Sequence, residues 1–163
     1  MHLIGVFSDI HCGSTVGLMG EPVLLDDENY FHPSKLQKWL WQEWVEAWNK
    51  AAKIREDADQ FTLISLGDLT ENIHHGTHQV ISNQSSVHSS VAVESLAVPL
   101  ELKPEAIHFI RGTGSHTGKG SSMEEGIARH LNALKYPVVR DPDTKQFSSY
   151  RRRILIGDTL LDC

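Results

Sequence analysis

The sequence predicts an α/β domain built on a mostly parallel sheet. Three observations predict it: short apolar runs at residues 3–8, 61–66 and 106–110, helical patterns after each of them, and a charged or glycine-containing loop directly after each run. Strand, crossover helix and parallel strand make a βαβ unit, and in such layered sheets the helices cover the outside while ligands bind beyond the carboxyl ends of the strands. At 163 residues and 40% hydrophobic content, the chain fits a single domain over 1–163 with a core of its own.

The elements follow in order. The run Leu3-Ile4-Gly5-Val6-Phe7-Ser8 is too short for a helix, and as a buried strand it delivers Asp9 to its carboxyl end. A polar stretch with Gly13, Gly17, Gly20 and Pro22 reads as a surface loop that shapes a site. Ser34 then caps a helix reaching to about Asp57, with Leu36, Leu40, Trp44, Ala47, Trp48, Ala51 and Ile54 on one face. All four tryptophans fall in this helix. Trp44 and Trp48 lie on the apolar stripe, which favours core packing over a stacking platform for bases.

The second strand ends at Gly67-Asp68. A helix over residues 82–102 carries Val87, Val91, Val98 and Leu102, with Pro99 and Pro104 marking its end. The third strand feeds a glycine-rich loop over 111–120. The next helix, over 122–134, has Glu124 and Glu125 in its first turn, where the macrodipole favours acids. Residues 152–163 read as a β-hairpin turning at Gly157-Asp158.

Composition narrows the function. With 15 Lys and Arg against 21 Asp and Glu, the net charge is -6 and no block of like charges exists beyond the small cluster Arg151, Arg152 and Arg153. Nucleic-acid binding by charge alone is therefore disfavoured. No apolar run approaches the roughly 20 residues that span a bilayer, and the start lacks a signal peptide's basic flank and cleavage site, so no membrane association and a cytoplasmic location are expected. Cys12 and Cys163 are too few for a disulfide framework and have no CxxC spacing. The ten histidines raise the expectation of a metal site.

Three motifs carry the chemistry: Ser8-Asp9-Ile10-His11, Gly67-Asp68-Leu69-Thr70-Glu71-Asn72, and Gly112-Thr113-Gly114-Ser115-His116. Alone, each reads equally as a turn or a solvated loop. Together, in this order at three strand ends, they converge on one rim of the sheet. Competing readings are poorer. A Walker loop needs four residues between its glycines and Ser or Thr after the lysine, whereas Gly114 and Gly118 enclose three and Gly120 follows Lys119. A Ser115 or Cys12 nucleophile lacks the GxSxG elbow or a paired base.

In these motifs the sequence resembles the calcineurin-like metallophosphoesterases, whose signature runs DxH, GDxx(D/E), GNH(D/E), a lone His and GHxH. It is closest to a branch associated with phage and prophage genomes, through Asp9-Ile10-His11-Cys12-Gly13-Ser14, Gly67-Asp68-Leu69-Thr70-Glu71-Asn72-Ile73-His74-His75-Gly76-Thr77 and Gly112-Thr113-Gly114-Ser115-His116-Thr117-Gly118. The resemblance implies hydrolysis of a phosphomonoester or phosphodiester, a nucleotide or nucleic acid included, in a bacterial or phage-infected cell. It implies two divalent metal ions in a complete domain, drawn from Mn, Fe, Zn or Ni, with Asp9 and His11 on the first and Asp68 bridging to the second. It gives Glu71 a role in orienting the site from behind the ligands. No specific protein partner is implied.

The sequence departs from that pattern in two ways. Thr113 replaces the family's metal-binding asparagine, and His116 lies two residues late, where it either protonates the leaving group as a catalytic acid or takes a metal position. Asn72, His74 and His75 are candidates for compensating ligands or phosphate contacts. The remaining histidines, among them His32, His78, His88, His108 and His130, are expected to be structural or exposed. Apart from His130, in the helix over 122–134, no His follows the third motif and no GHxH does, so the fold is expected to be an N-terminal portion, truncated at its C-terminus. The alternative function is then a non-catalytic remnant with at most weak single-metal binding.

Overall fold

Four parallel strands form the centre of the computed structural model, which describes residues 1–73, 79–117 and 122–163. In chain order the elements are β1 (His2–Phe7), β2 (Val23–Leu24), β3 (Tyr30–Phe31), α1 (Lys35–Arg55), β4 (Gln60–Ser65), α2 (Ser85–Leu100), β5 (Ala106–Ile110), α3 (Gly114–Thr117), α4 (Ser122–Ala133), β6 (Ser148–Ser149), β7 (Arg153–Ile156) and β8 (Thr159–Asp162). The central sheet runs β1-β4-β5-β6, all parallel, and β7 pairs with β8 as an antiparallel hairpin.

This order explains the layers. Each crossover steps to the next strand in the same direction, and right-handed crossovers then put α1, α2 and α4 on one face. Alternate residues of the strands point there: Leu3 and Phe7, Phe61 and Leu63, Ile107 and Phe109 join Trp48, Val91, Leu96, Ile127 and Leu131 in the main core. The opposite face carries Ile4, Ile64 and Ile110, covered by Ile154, Ile156 and Leu161 of the hairpin. The chain is therefore α/β, with helices, sheet and hairpin as three layers.

Local signals set the boundaries. Ser34 opens α1 with a full capping box: its hydroxyl accepts from the Gln37 N–H and the Gln37 amide oxygen accepts from the Ser34 N–H. Gln37 is itself fully buried, so the first turn of α1 faces the interior. The expected stripe is rotated in consequence: Leu36 and Ile54 are 46% and 50% exposed, while Trp48 is buried and Trp44 packs at its side. Pro99 sits inside the last turn of α2 rather than ending it. The short α3 replaces part of the expected loop, and the two-residue strands β2, β3 and β6 carry no sequence pattern of their own. Among the described residues, no helix is long and apolar enough to cross a membrane.

The hairpin side is tied to the sheet by a buried polar group. Arg152, buried between β5 and the hairpin, donates to the Val139 carbonyl (2.8 Å) and the Ser149 hydroxyl (3.2 Å) and stands 3.3 Å from Nδ1 of His108. Burial, then the Arg152 charge, pushes His108 down to about 4. Below its ordinary value the unfolded chain binds a proton that the folded chain refuses, so stability falls as pH drops from 6.5 to about 4. We expect this histidine to account for at most about 3 kcal/mol of acid destabilisation. Urea melts of wild type and His108→Gln at pH 7 and pH 4.5 test this: the variant should lose less stability on acidification, and equal losses would contradict the assignment.

Candidate metal centre

The chains of β1 and β4 stay paired after both strands end. The Asp9 N–H donates to the Gly67 carbonyl (3.1 Å), His11 to Asp68 (3.1 Å) and Cys12 to Leu69 (2.9 Å), and the Glu71 N–H returns to Cys12 (3.0 Å). Within this pairing, Asp9, His11, Asp68 and Asn72 all adopt left-handed backbone, with φ of 57°, 44°, 49° and 54°. The conformation costs a non-glycine residue about 1 kcal/mol or more, though less for Asp, Asn and His than for other side chains. Strain gathered on one rim of a sheet points to a functional constraint.

The side chains of that rim meet. One potential ligand atom from each of Asp9, His11 and Asp68 lies within 4.8 Å of the others, and the same holds for His11, Glu71 and His116. His11 belongs to both groups. Its Nε2 stands 3.8 Å from Asp9 Oδ1, and its Nδ1 stands 2.9 Å from Glu71 Oε2. Despite that short distance, Nδ1 is buried without a hydrogen bond, because the carboxylate lies out of line with the ring N–H. A neutral imidazole has one lone-pair nitrogen, so His11 can serve only one of the two groups at a time.

The donor set fits a divalent cation. Ligands about 2.0 to 2.2 Å from one ion stand about 3 to 4 Å apart, so Asp9, His11 and Asp68 need to close by less than about 2 Å. Carboxylate oxygen with imidazole nitrogen suits first-row divalent metals, and no thiolate is offered. Cys12 is fully buried and donates to the Ser95 hydroxyl at 3.5 Å; burial pushes its thiol up to about 12, which removes it as a nucleophile.

The third motif grips Asp68. The Thr113 N–H donates to Asp68 Oδ1 at 2.8 Å and its hydroxyl stands 3.2 Å from the same oxygen. This grip needs Gly112: a Cβ there would fall inside the Asp68 carboxylate and backbone, and Gly67, at φ 101°, passes equally close on the other side. His116 reaches across from α3, its Nδ1 3.3 Å from the Glu71 carbonyl and 3.6 Å from Glu71 Oε1, and its ring meets that of His11 edge to face at 4.5 Å.

The chain matches no family model, no curated protein and no solved structure. The structure brings together Asp9, His11, Asp68, Glu71, Thr113 and His116 from the residues singled out in the sequence. Asn72 is buried, its side-chain oxygen accepting from the Ile73 N–H at 2.8 Å, so its amide caps its own loop. His74 and His75 lie outside the described residues.

Three supporting residues carry no motif. Gln37 donates its amide to the carbonyls of Ser14 (3.1 Å) and Gly17 (3.2 Å), pinning the loop after His11 to α1. His88, on α2, accepts the Asn72 N–H at Nδ1 (3.1 Å) and lies 2.7 Å from the Ser82 carbonyl at Nε2, which fixes the Nε2–H tautomer. Its ring fills the space beside Gly13 that a Cβ would take. Burial lowers the pKa of His88, consistent with a neutral ring. Glu124, fully buried in the first turn of α4, is pushed up to about 7 by burial and the Asp68 charge, against the pull of the N–H groups of Glu124, Gly112 and Leu69. Those N–H groups fall short of hydrogen-bond geometry, since neither Glu124 oxygen has a partner. The sequence offered one usable signal, the capping-box position of Gln37.

Two outcomes are expected. Gly112→Ala should destabilise the fold by about 2 kcal/mol or more in urea melts, through overpacking against Asp68; a loss under about 0.5 kcal/mol would refute the close approach. His88→Leu should leave the Asn72 N–H and Ser82 carbonyl unpaired, at about 1 to 3 kcal/mol each at most. Amide hydrogen exchange at Asn72 should accelerate in this variant while exchange in β4 and β5 changes less; uniform acceleration would assign His88 to general packing instead.

Proposed function

We propose that this chain is a metal-dependent phosphoester hydrolase of the calcineurin-like metallophosphoesterase type. The observation that carries the reading is the convergence of Asp9, His11 and Asp68, each in left-handed backbone, at the carboxyl ends of adjacent parallel strands. In this reading Asp9, His11 and Asp68 hold the cation, Mn, Fe, Zn or Ni. A bound divalent cation supplies Lewis acidity, bringing water towards ionisation near neutral pH and offsetting charge on phosphoryl oxygens.

The protein's own groups then have separate tasks. Glu71 Oε2, 2.9 Å from Nδ1 of His11, puts negative charge beside that nitrogen and so favours the proton there, which leaves Nε2 with its lone pair on the side of Asp9. Thr113 holds the Asp68 carboxylate in one orientation. His116, with Nδ1 turned to Glu71, is the group that gives a proton to the leaving oxygen of the phosphomonoester or phosphodiester.

A second reading is favoured by one specific observation. The two ligand groups share His11, so the described residues supply one complete set at a time, not two. That arrangement fits a protein that binds a single cation without turning over substrate.

One experiment separates the two readings. Purified chain would be incubated with Mn²⁺ and bis(p-nitrophenyl) phosphate beside Asp68→Asn, with metal binding followed in parallel by calorimetry. The hydrolase reading expects wild-type turnover that falls at least about 100-fold in Asp68→Asn, and metal affinity that falls about 10-fold or more in His11→Ala. Equal signals from wild type and Asp68→Asn would sink it. Metal binding that depends on His11 with no turnover would select the single-cation reading.

A further inference from the structure

A groove of about 490 Å³ opens directly from the candidate metal centre, between the loop after β1 and the exposed face of α1. That volume suits an organic group of small-ligand size. Its walls are Ile10, Leu18, Leu40, Trp44 and Ala47, and His11 stands at its inner end. The charged side chains lining it are Asp9, Glu71 and Glu43, and no lysine or arginine among the described residues contributes.

The three acids differ. Asp9 and Glu71 are both engaged with His11, at 3.8 Å and 2.9 Å. Glu43 belongs to α1, three residues from Leu40 and four from Ala47, on the helix face that forms the outer wall. No described side chain forms an ion pair with it. The groove is thus mostly apolar, with Ser8, Ser14 and Gln79 as its uncharged polar lining, and its charged side chains are all acidic. A second phosphate, or the flanking phosphates of a nucleic-acid strand, would meet apolar walls and carboxylates, with no lysine or arginine among the described lining residues to compensate. An apolar group that carries a positive charge meets both demands: its body leaves water against Leu40 and Trp44, and its charge faces Glu43.

We propose that this groove binds an organic cation, an aryl- or alkylammonium group, as the organic arm of a phosphoester with a single phosphate. The assignment of that arm to a substrate rests on the hydrolase reading, but the binding of the cation does not.

The test uses the full chain without added metal, so that binding is read apart from turnover. Benzyltrimethylammonium, benzenesulfonate and benzyl alcohol would be titrated by ligand-observed NMR. Wild type should bind the ammonium probe at least about fivefold more tightly than the sulfonate. Glu43→Gln should cut ammonium affinity about fivefold and leave benzyl alcohol unchanged. Ala47→Trp, at an exposed helix position, should fill the groove and weaken ammonium and alcohol alike. No binding of the ammonium probe, equal binding of the sulfonate, or an unchanged affinity in Glu43→Gln would each overturn the proposal. Failure of phosphodiester hydrolysis alongside Glu43-dependent ammonium binding would overturn the hydrolase reading while leaving this site intact.

Discussion

The site depends on one backbone arrangement: the parallel pairing of β1 with β4 continues past the point where both strands stop. Ordinarily two chains diverge at a strand end, and the loops that follow are free of each other. Here four further hydrogen bonds, from Asp9 to Gly67, His11 to Asp68, Cys12 to Leu69 and Glu71 back to Cys12, keep them together through a left-handed turn. Each such bond contributes about 1 kcal/mol, and together they offset the strain of holding Asp9, His11, Asp68 and Asn72 at positive φ. The pairing sets which side chains become neighbours, because it lays the first motif against the second residue by residue.

The surroundings of this double loop are more polar than a core normally allows. Gln37 is buried under the first loop, His88 under the second and Glu124 beneath Asp68 and Gly112. Buried polar groups are tolerated where they satisfy backbone groups that no secondary structure serves. Gln37 and His88 do this for carbonyls and N–H groups of irregular chain. Glu124 does not, since both its oxygens lack partners, and its pKa of about 7 records the cost of placing a carboxylate there. The sheet below is rigid and apolar, so precision at the rim comes from these few polar contacts and from the glycine pair Gly67 and Gly112.

Much of this was readable from residues alone. Runs of apolar residues ending in Asp9 and Gly67-Asp68 placed the strands to within one residue, because a buried parallel strand needs just such a run. Ser34 marked the start of α1 through chemistry local to the first turn, and the structure adds Gln37 as the other half of its capping box. The convergence of Asp9, His11, Asp68 and His116 followed from strand order. What the sequence did not disclose is non-local. The buried face of α1 was rotated because Gln37, a polar residue, points inwards for the sake of a loop 20 residues earlier. His88 looked like any helical histidine, since its partners Asn72 and Ser82 are brought to it only by the fold. The two-residue strands β2, β3 and β6 exist by pairing, not by pattern.

The most direct measurement is ¹⁵N NMR of the histidine side chains with and without Zn²⁺ at neutral pH, His11 being assigned by its absence in His11→Gln. If the paired loops present His11 to the cation with Glu71 behind it, Zn²⁺ will shift Nε2 of His11 to a ligated nitrogen while Nδ1 stays protonated. An unshifted His11, or ligation through Nδ1 with Nε2 protonated, would contradict the arrangement from which the rest of the function is built.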